Sequence, residues 1–344
     1  MMGEKEQYVM GEISPSFDRD RQVLGHILPL KAPFNVLIDV SEVCNFRCQY
    51  CFRANQDKKA YGYAVKNDLM EWNTFTHIAE QILEFPEPVK QISLSGHGEP
   101  LCNKQVPDMV HYIKEKGITS RVSLHTNASL LDKEYAKRLS DSDIDRVVVS
   151  LQGMTSKKYK EVCGAVIDYE CFYENLAFFS ERKQRTQLYI KIADMALDEG
   201  EEEQFYKRFL PIADRAFIER IVPIWKETEI FSVQEAEMKK NKYGEEFPKQ
   251  HCCPVLFHTI HVIPSGDVYP CTQILYPKPL GNVWGSSLLE LWNGEERKRL
   301  LREQLELHSP EICHDCYIKD NSIFTKEDLI DDAREEILQR LCKE

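Results

Sequence analysis

Three cysteines, Cys44, Cys48 and Cys51, stand in DVSEVCNFRCQYCFRAN at spacings of four and three, with no fourth ligand beside them. Thiolates bind soft and borderline metals. A structural zinc site takes four protein ligands, usually as two pairs. A cubane 4Fe-4S cluster held by three thiolates instead keeps one iron for an external chelating molecule. A zinc knuckle here would need a distant fourth ligand. A second set, Cys253, Cys271, Cys313 and Cys316, offers four thiolates, enough to close a fully ligated iron-sulfur cluster or a structural zinc site. Cys252 competes with Cys253 for the first of those positions. Five of the twelve cysteines stay outside both sets, among them Cys102, Cys163 and Cys171, which read either as small buried hydrophobes or, for an epimerisation, as thiols that return a hydrogen atom.

These residues need elements to hold them. Between residues 34 and 225 six strand-like runs, FNVLIDVS, QISLSG, RVSLHTN, RVVVSLQ, LYIKIAD and FIERIVPIW, are each followed by a loop and usually by a helix-length amphipathic segment. That alternation predicts a parallel sheet with right-handed crossovers. One face of the strands is apolar, with Val36, Ile38, Ile92, Leu94, Val122, Leu124, Val147, Val149, Leu188, Ile190 and Ile192 toward covering helices. The other carries Asp39, Ser41, Ser93, Ser95, Ser123, His125, Asn127, Ser150, Gln152, Tyr189 and Lys191. A polar inner face must be satisfied by ligand, by water or by its own members. Lys191 in particular requires a carboxylate or another acceptor. After Trp225 the rhythm stops, and a charged stretch leads to a smaller unit containing a hairpin turned by PSGD. The tail, with Leu329, Ile330, Ala333, Ile337 and Leu341 on a helical period, is expected to pack on its own core.

Bulk properties narrow the function. The 344 residues are 42% apolar and 29% charged, so a sizeable core is available. Acidic residues number 56 against 44 basic, and the net charge of -12 disfavours nucleic acid and anionic membranes as partners. No apolar run is long enough to span a bilayer and MMGEKEQYVM lacks a signal-peptide core, so a cytoplasmic location is expected. In a reducing compartment twelve cysteines do not make a disulfide framework, and the clustered ones read as metal ligands.

The CxxxCxxC spacing, an aromatic residue (Tyr50) before the last cysteine and placement straight after the first strand resemble the radical S-adenosylmethionine (SAM) superfamily. SLSGHGEPL resembles that family's Gly-Gly-Glu-Pro element, with His97 as a departure from it. The region CCPVLFHTIHVIPSGDVYPCT, LGNVWGSSLLELWNGE and CHDC resembles a SPASM or shorter Twitch extension. The match is to a one-cluster version, similar to the 2-deoxy-scyllo-inosamine dehydrogenase type.

The resemblance implies a partial (β/α)6 TIM-like α/β barrel over 34–230, after an N-terminal extension at 1–33. An auxiliary-cluster domain over 231–320 and a C-terminal helix over 321–344 would follow. It implies a 4Fe-4S cluster with one open iron on Cys44, Cys48 and Cys51, and an auxiliary 4Fe-4S cluster on Cys253, Cys271, Cys313 and Cys316. SAM would be held by Gly96, Gly98, Glu99, Thr126, Asn127 and Ser150. Reductive cleavage of SAM to a 5'-deoxyadenosyl radical would then abstract hydrogen from a polar sugar, aminocyclitol or nucleotide-sugar, with His125 or Lys191 as base. An electron donor such as flavodoxin or ferredoxin is implied as partner. Two other expectations stand beside this one: maturation of a ribosomally made peptide by thioether formation or epimerisation, and a zinc-stabilised binding protein.

Overall fold

A computed structural model of the chain describes residues 21–54, 66–119, 121–222, 246, 250–272, 278–314, 316, 319 and 326–343. The residues expected to form an N-terminal extension lie outside this set up to residue 20, as does most of the charged stretch after Trp225. Among the described residues nine strands make one sheet: β1 (Asn35–Ile38), β2 (Gln91–Leu94), β3 (Val122–Thr126), β4 (Arg146–Leu151), β5 (Gln187–Ala193), β6 (Arg215–Glu219), β7 (Thr259–Val262), β8 (Asp267–Tyr269) and β9 (Gly281–Asn282). Their spatial order is β6-β5-β4-β3-β2-β1-β7-β8-β9. The first six are parallel neighbours, as the alternation predicts.

The apolar strand positions are fully covered. Val36, Ile38, Ile92, Leu94, Val122, Leu124, Val147, Val149, Leu188, Ile190 and Ile192 join one core with Phe75 and Ile78 of helix Trp72–Ile82 and with Met109 and Val110 of helix Val106–Glu115. Each such side chain contributes on the order of 1.5–3 kcal/mol. At the opposite end of the sheet from the cysteine loop, two aspartates repeat one device. Asp145 Oδ2 accepts from Val122 N at 2.6 Å and from Lys114 Nζ at 2.6 Å. Asp214 Oδ2 accepts from Leu188 N at 2.7 Å and from Lys183 Nζ at 2.8 Å. Each closes the start of a strand onto the helix that feeds it.

Among the described residues the strands of the smaller C-terminal unit all join the same sheet. β7 pairs parallel with β1, Val36 against Ile260 and Ile38 against Val262, and the hairpin of β7 and β8 extends the same sheet. Its turn places Gly266 at φ +83°, and a Cβ there would meet Val283 Cγ2 at 2.8 Å. The pairing covers an edge of β1 that the six-strand barrel would leave open. A second apolar cluster joins Leu24 and Leu28 to Leu256, Leu300, Leu305, Ile330, Ile337 and Leu341. The tail helix Arg334–Leu341 thus packs on its own chain, as its periodicity predicts.

Candidate active site

The cysteine loop leaves β1 and lies across the end of helix Ser156–Cys163. That helix stops at Gly164, φ +70°. Carbonyls at a helix C-terminus lack intrahelical partners, and here two of them accept from the loop, Cys163 O from Arg47 N at 3.0 Å and Val162 O from Gln49 N at 2.9 Å. Arg47 Nη1 returns to Cys44 O at 2.7 Å. Phe46 and Phe52 are buried, and the Tyr50 hydroxyl donates to Gln152 at the end of β4. Cys44, Cys48 and Cys51 are left half-buried on one loop.

Burial pushes the Cys51 thiol up to about 11, with Cys44 adding to the effect, and burial likewise raises Cys44. Cys48 is raised chiefly by its hydrogen bond with Cys163, then by burial. Three adjacent thiols held protonated in this way become thiolates only when positive charge is brought to them. That donor set fits an iron-sulfur cluster. It does not fit a single ion: among the described residues, the one trio whose ligating atoms lie within 4.8 Å of one another is Asp39, His97 and His261.

The SGHGEP loop after β2 packs directly against the root of the cysteine loop. A Cβ on Gly98 would stand 2.0 Å from Ser41 O and 2.5 Å from Val43 O; one on Gly96 would stand 2.1 Å from Asp39 Cγ. The space left by these two missing side chains is therefore filled by Asp39 and by the backbone of residues 41–43. Glu99 N donates to Val43 O at 2.8 Å. The Glu99 carboxylate is 3% exposed and accepts from Leu101 N at 3.0 Å, from Asn127 N at 2.7 Å and from the Thr126 hydroxyl. Burial nevertheless pushes it up to about 7. Asn127 Nδ2 reaches Asn45 Oδ1 at 3.0 Å. Glu99, Thr126 and Asn127 are thus brought together as one network that joins β3 to the cysteine loop.

The inner face of the sheet divides into two layers. In the lower one the polar groups satisfy one another: Ser93 Oγ lies 3.0 Å from both Asn35 Oδ1 and Ser123 Oγ, and Arg146 Nη2 donates to Gln187 Oε1 at 2.8 Å while its guanidinium lies over the Tyr189 ring. The upper layer is partly exposed. His125 is exposed, with Nδ1 3.2 Å from Ser95 Oγ. Ser150 is half-buried and pairs across the ladder with Lys191. The Lys191 ammonium has the carboxylate it requires, Glu219 Oε2 at 2.5 Å.

In the second set Cys253 feels Cys316 and Cys313, and burial pushes its thiol up to about 12. Cys271 is buried in the same cluster and Cys316 packs against it. Cys252 is committed elsewhere, its Sγ donating to Gln304 O at 3.1 Å. The sequence patterns give no notice of Cys163 beside Cys48, of Glu219 beside Lys191, or of Arg53, which donates to the carbonyls of His97 and Glu42. Nor do they mark His261, buried on β7, or the role of Asp39. All five partnerships span separate elements, which local periodicity does not encode.

Residues 38–204 match the Radical SAM superfamily and residues 252–317 match SPASM, an iron-sulfur cluster-binding domain. Among curated relatives, a probable GTP 3',8-cyclase of Methanococcus maripaludis is 34% identical over 36% of this chain and 38% of its own length. An Fe-coproporphyrin III synthase of Methanosarcina barkeri is 31% identical over 48% of this chain and 41% of its own. The chain thus spans about two fifths of the length of those two relatives. A tungsten-containing aldehyde ferredoxin oxidoreductase cofactor-modifying protein of Pyrococcus furiosus is 23% identical over 86% of this chain and 90% of its own. In fold the chain resembles Streptococcus suis SuiB bound to S-adenosylmethionine, TM-score 0.62 at 16% identity over 87% of this chain and 74% of that one. It also resembles anSMEcpe with bound AdoMet, 0.58 at 15% over 90% and 98%.

Proposed function

Because this chain belongs to the radical SAM superfamily and carries a C-terminal SPASM domain, we propose that it abstracts hydrogen from a polar small molecule, a sugar, aminocyclitol or nucleotide-sugar, and oxidises or epimerises it. Its cofactors are SAM and 4Fe-4S clusters. Cys44, Cys48 and Cys51 would hold the cluster with the open iron, and Cys253, Cys271, Cys313 and Cys316 the auxiliary one. When bound, these groups would supply a 5'-deoxyadenosyl radical and an acceptor for the second electron of an oxidation.

The observation that carries the reading is the polar upper layer on the inner face of the sheet, made by buried Ser95, exposed His125, half-buried Ser150 and ion-paired Lys191. Lys191, oriented by Glu219, would donate to a substrate oxygen. His125, oriented by Ser95, would take the hydroxyl proton of an alcohol becoming a ketone. The lower layer, closed by Ser93, Ser123 and Asn35, keeps the substrate at the top of the sheet. Placement of one C-H bond within reach is the work left to the protein. Curated relatives named for GTP, for Fe-coproporphyrin III and for modifying the cofactor of a tungsten-containing oxidoreductase support a polar or charged small molecule.

Anaerobic reconstitution is expected to give about eight irons per chain for two cubanes, and addition of SAM and dithionite to release 5'-deoxyadenosine. Product formed in deuterated water separates the outcomes. A ketone supports oxidation, and deuterium on carbon supports inversion. Iron-replete protein that leaves SAM intact would refute the reading.

A further inference from the structure

Asp39 and His261, both buried, and the half-buried His97 form a group that the proposed chemistry does not use. One ligating atom from each lies within 4.8 Å of the others. The three come from separate elements. Asp39 follows β1, His97 sits in the loop after β2, and His261 is on β7, where its partner across the ladder is Leu37. Asp39 N donates to Val262 O at 2.8 Å, so the register that joins the two halves of the molecule also fixes Asp39 and His261 on one face.

The orientation of the His97 ring is set. His97 Nε2 lies 3.2 Å from Thr272 O. A carbonyl only accepts, so this nitrogen carries the proton and Nδ1 presents a lone pair. Nδ1 lies 3.4 Å from Asp39 Oδ2. Two acceptors facing one another require a cation or a proton between them. The separation is also that subtended by two bonds of ~2.0–2.1 Å at the tetrahedral angle, ~3.3 Å. A backbone carbonyl on the far nitrogen is how metal-binding histidines are held. Independently, His261 is 1% exposed and its Nε2 has no hydrogen-bond partner. The loop is pinned on its other side by His97 N donating to Asp39 Oδ2 at 2.8 Å and by Arg53 on the His97 carbonyl. Gly96 is the residue that lets Asp39 approach.

We propose that Asp39 Oδ2, His97 Nδ1 and His261 Nε2 form a mononuclear site for a borderline divalent cation, Zn2+ or Fe2+, separate from both cysteine sets. Two imidazoles and a carboxylate select such ions over Mg2+ or Ca2+. Three protein ligands leave a further coordination position. The ion joins β1, the SGHGEP loop and the SPASM strand β7 at one point.

The full-length, anaerobically reconstituted protein is mixed with one equivalent of Zn2+, desalted, and assayed for zinc, iron and sulfide. About one zinc per chain is expected to remain, with iron and sulfide unchanged. X-ray absorption at the zinc edge is expected to show nitrogen and oxygen at ~2.0–2.1 Å and no sulfur at ~2.3 Å. His261→Gln and Asp39→Asn are each expected to lower retained zinc about tenfold while keeping their iron. Zinc that washes off the wild type, a sulfur shell around it, or full retention by both variants would overturn the proposal. The wild-type spectrum decides the matter even where a variant does not fold.

Discussion

At the scale of single residues, the sharpest constraint is the contact between the SGHGEP loop and the root of the cysteine loop. Gly98→Ala would drive a methyl group into two backbone carbonyls at 2.0 and 2.5 Å, which cannot rotate away. Overpacking of this kind costs about 1–3 kcal/mol or more, and the displaced backbone carries Val43, next to Cys44. Reconstituted Gly98→Ala is expected to melt lower and to hold less iron than the wild type. Gly117→Ala is the control. It has φ +62° and open space around it, so it should cost about 1 kcal/mol in thermal unfolding and leave iron content unchanged. Cys48→Ala should lose about half of the iron and all release of 5'-deoxyadenosine, since one of the two cubanes would lack a ligand. These particular residues were legible in the sequence because CxxxCxxC and SGHGEP are contiguous. Their geometry was not: the glycines serve contacts with residues some 55 positions away, and no local signal reports that Asp39 fills the space at Gly96.

Among the elements, the short helix Leu288–Trp292 and its successor Glu295–Leu305 hold the C-terminal unit onto the barrel. Trp292 is 1% exposed, donates Nε1 to Leu30 O at 3.0 Å and lies against Phe85. Trp292→Ala should cost about 3–5 kcal/mol, read by denaturant unfolding. Arg297 lies over its ring and donates to Trp292 O and Leu256 O, each at 3.0 Å. Burial holds that guanidinium down, to about 9. The outer face of the same helix behaves differently. Arg299 first, then Lys278, hold the exposed Glu296 carboxyl down, to about 2. A lowered carboxyl contributes stability that is present above its unfolded value and lost as pH falls toward 2. Solvent screening limits it to about 0.5 kcal/mol. Glu296→Gln should therefore cost that little at neutral pH and nothing near pH 2. The apolar period of the sequence marks the tail helix Arg334–Leu341 but not these two helices. It did not reveal that β7 adds to β1, because strand pairing across more than two hundred residues leaves no trace in local patterning.

For the whole molecule, one sheet runs through both matched regions, so the barrel and the SPASM unit share their stability. Removing residues 223–344 would uncover the β1 edge and strip Leu24 and Leu28 of their apolar neighbours. The shortened protein is expected to show no cooperative thermal transition, whereas the full chain should melt in one step by circular dichroism in its cluster-free form. No helix among the described residues is long and apolar enough to cross a membrane.

The position of β7 also bears on how the chain reaches this state during synthesis. β1 and β2 leave the ribosome early, yet the strand that completes β1 emerges only after Val262 has been made. For most of translation an unpaired ladder edge is exposed to every other nascent polypeptide nearby, the circumstance in which aggregation competes best with folding. Slower elongation or a bound chaperone over that interval should raise the yield of active protein in a heterologous host.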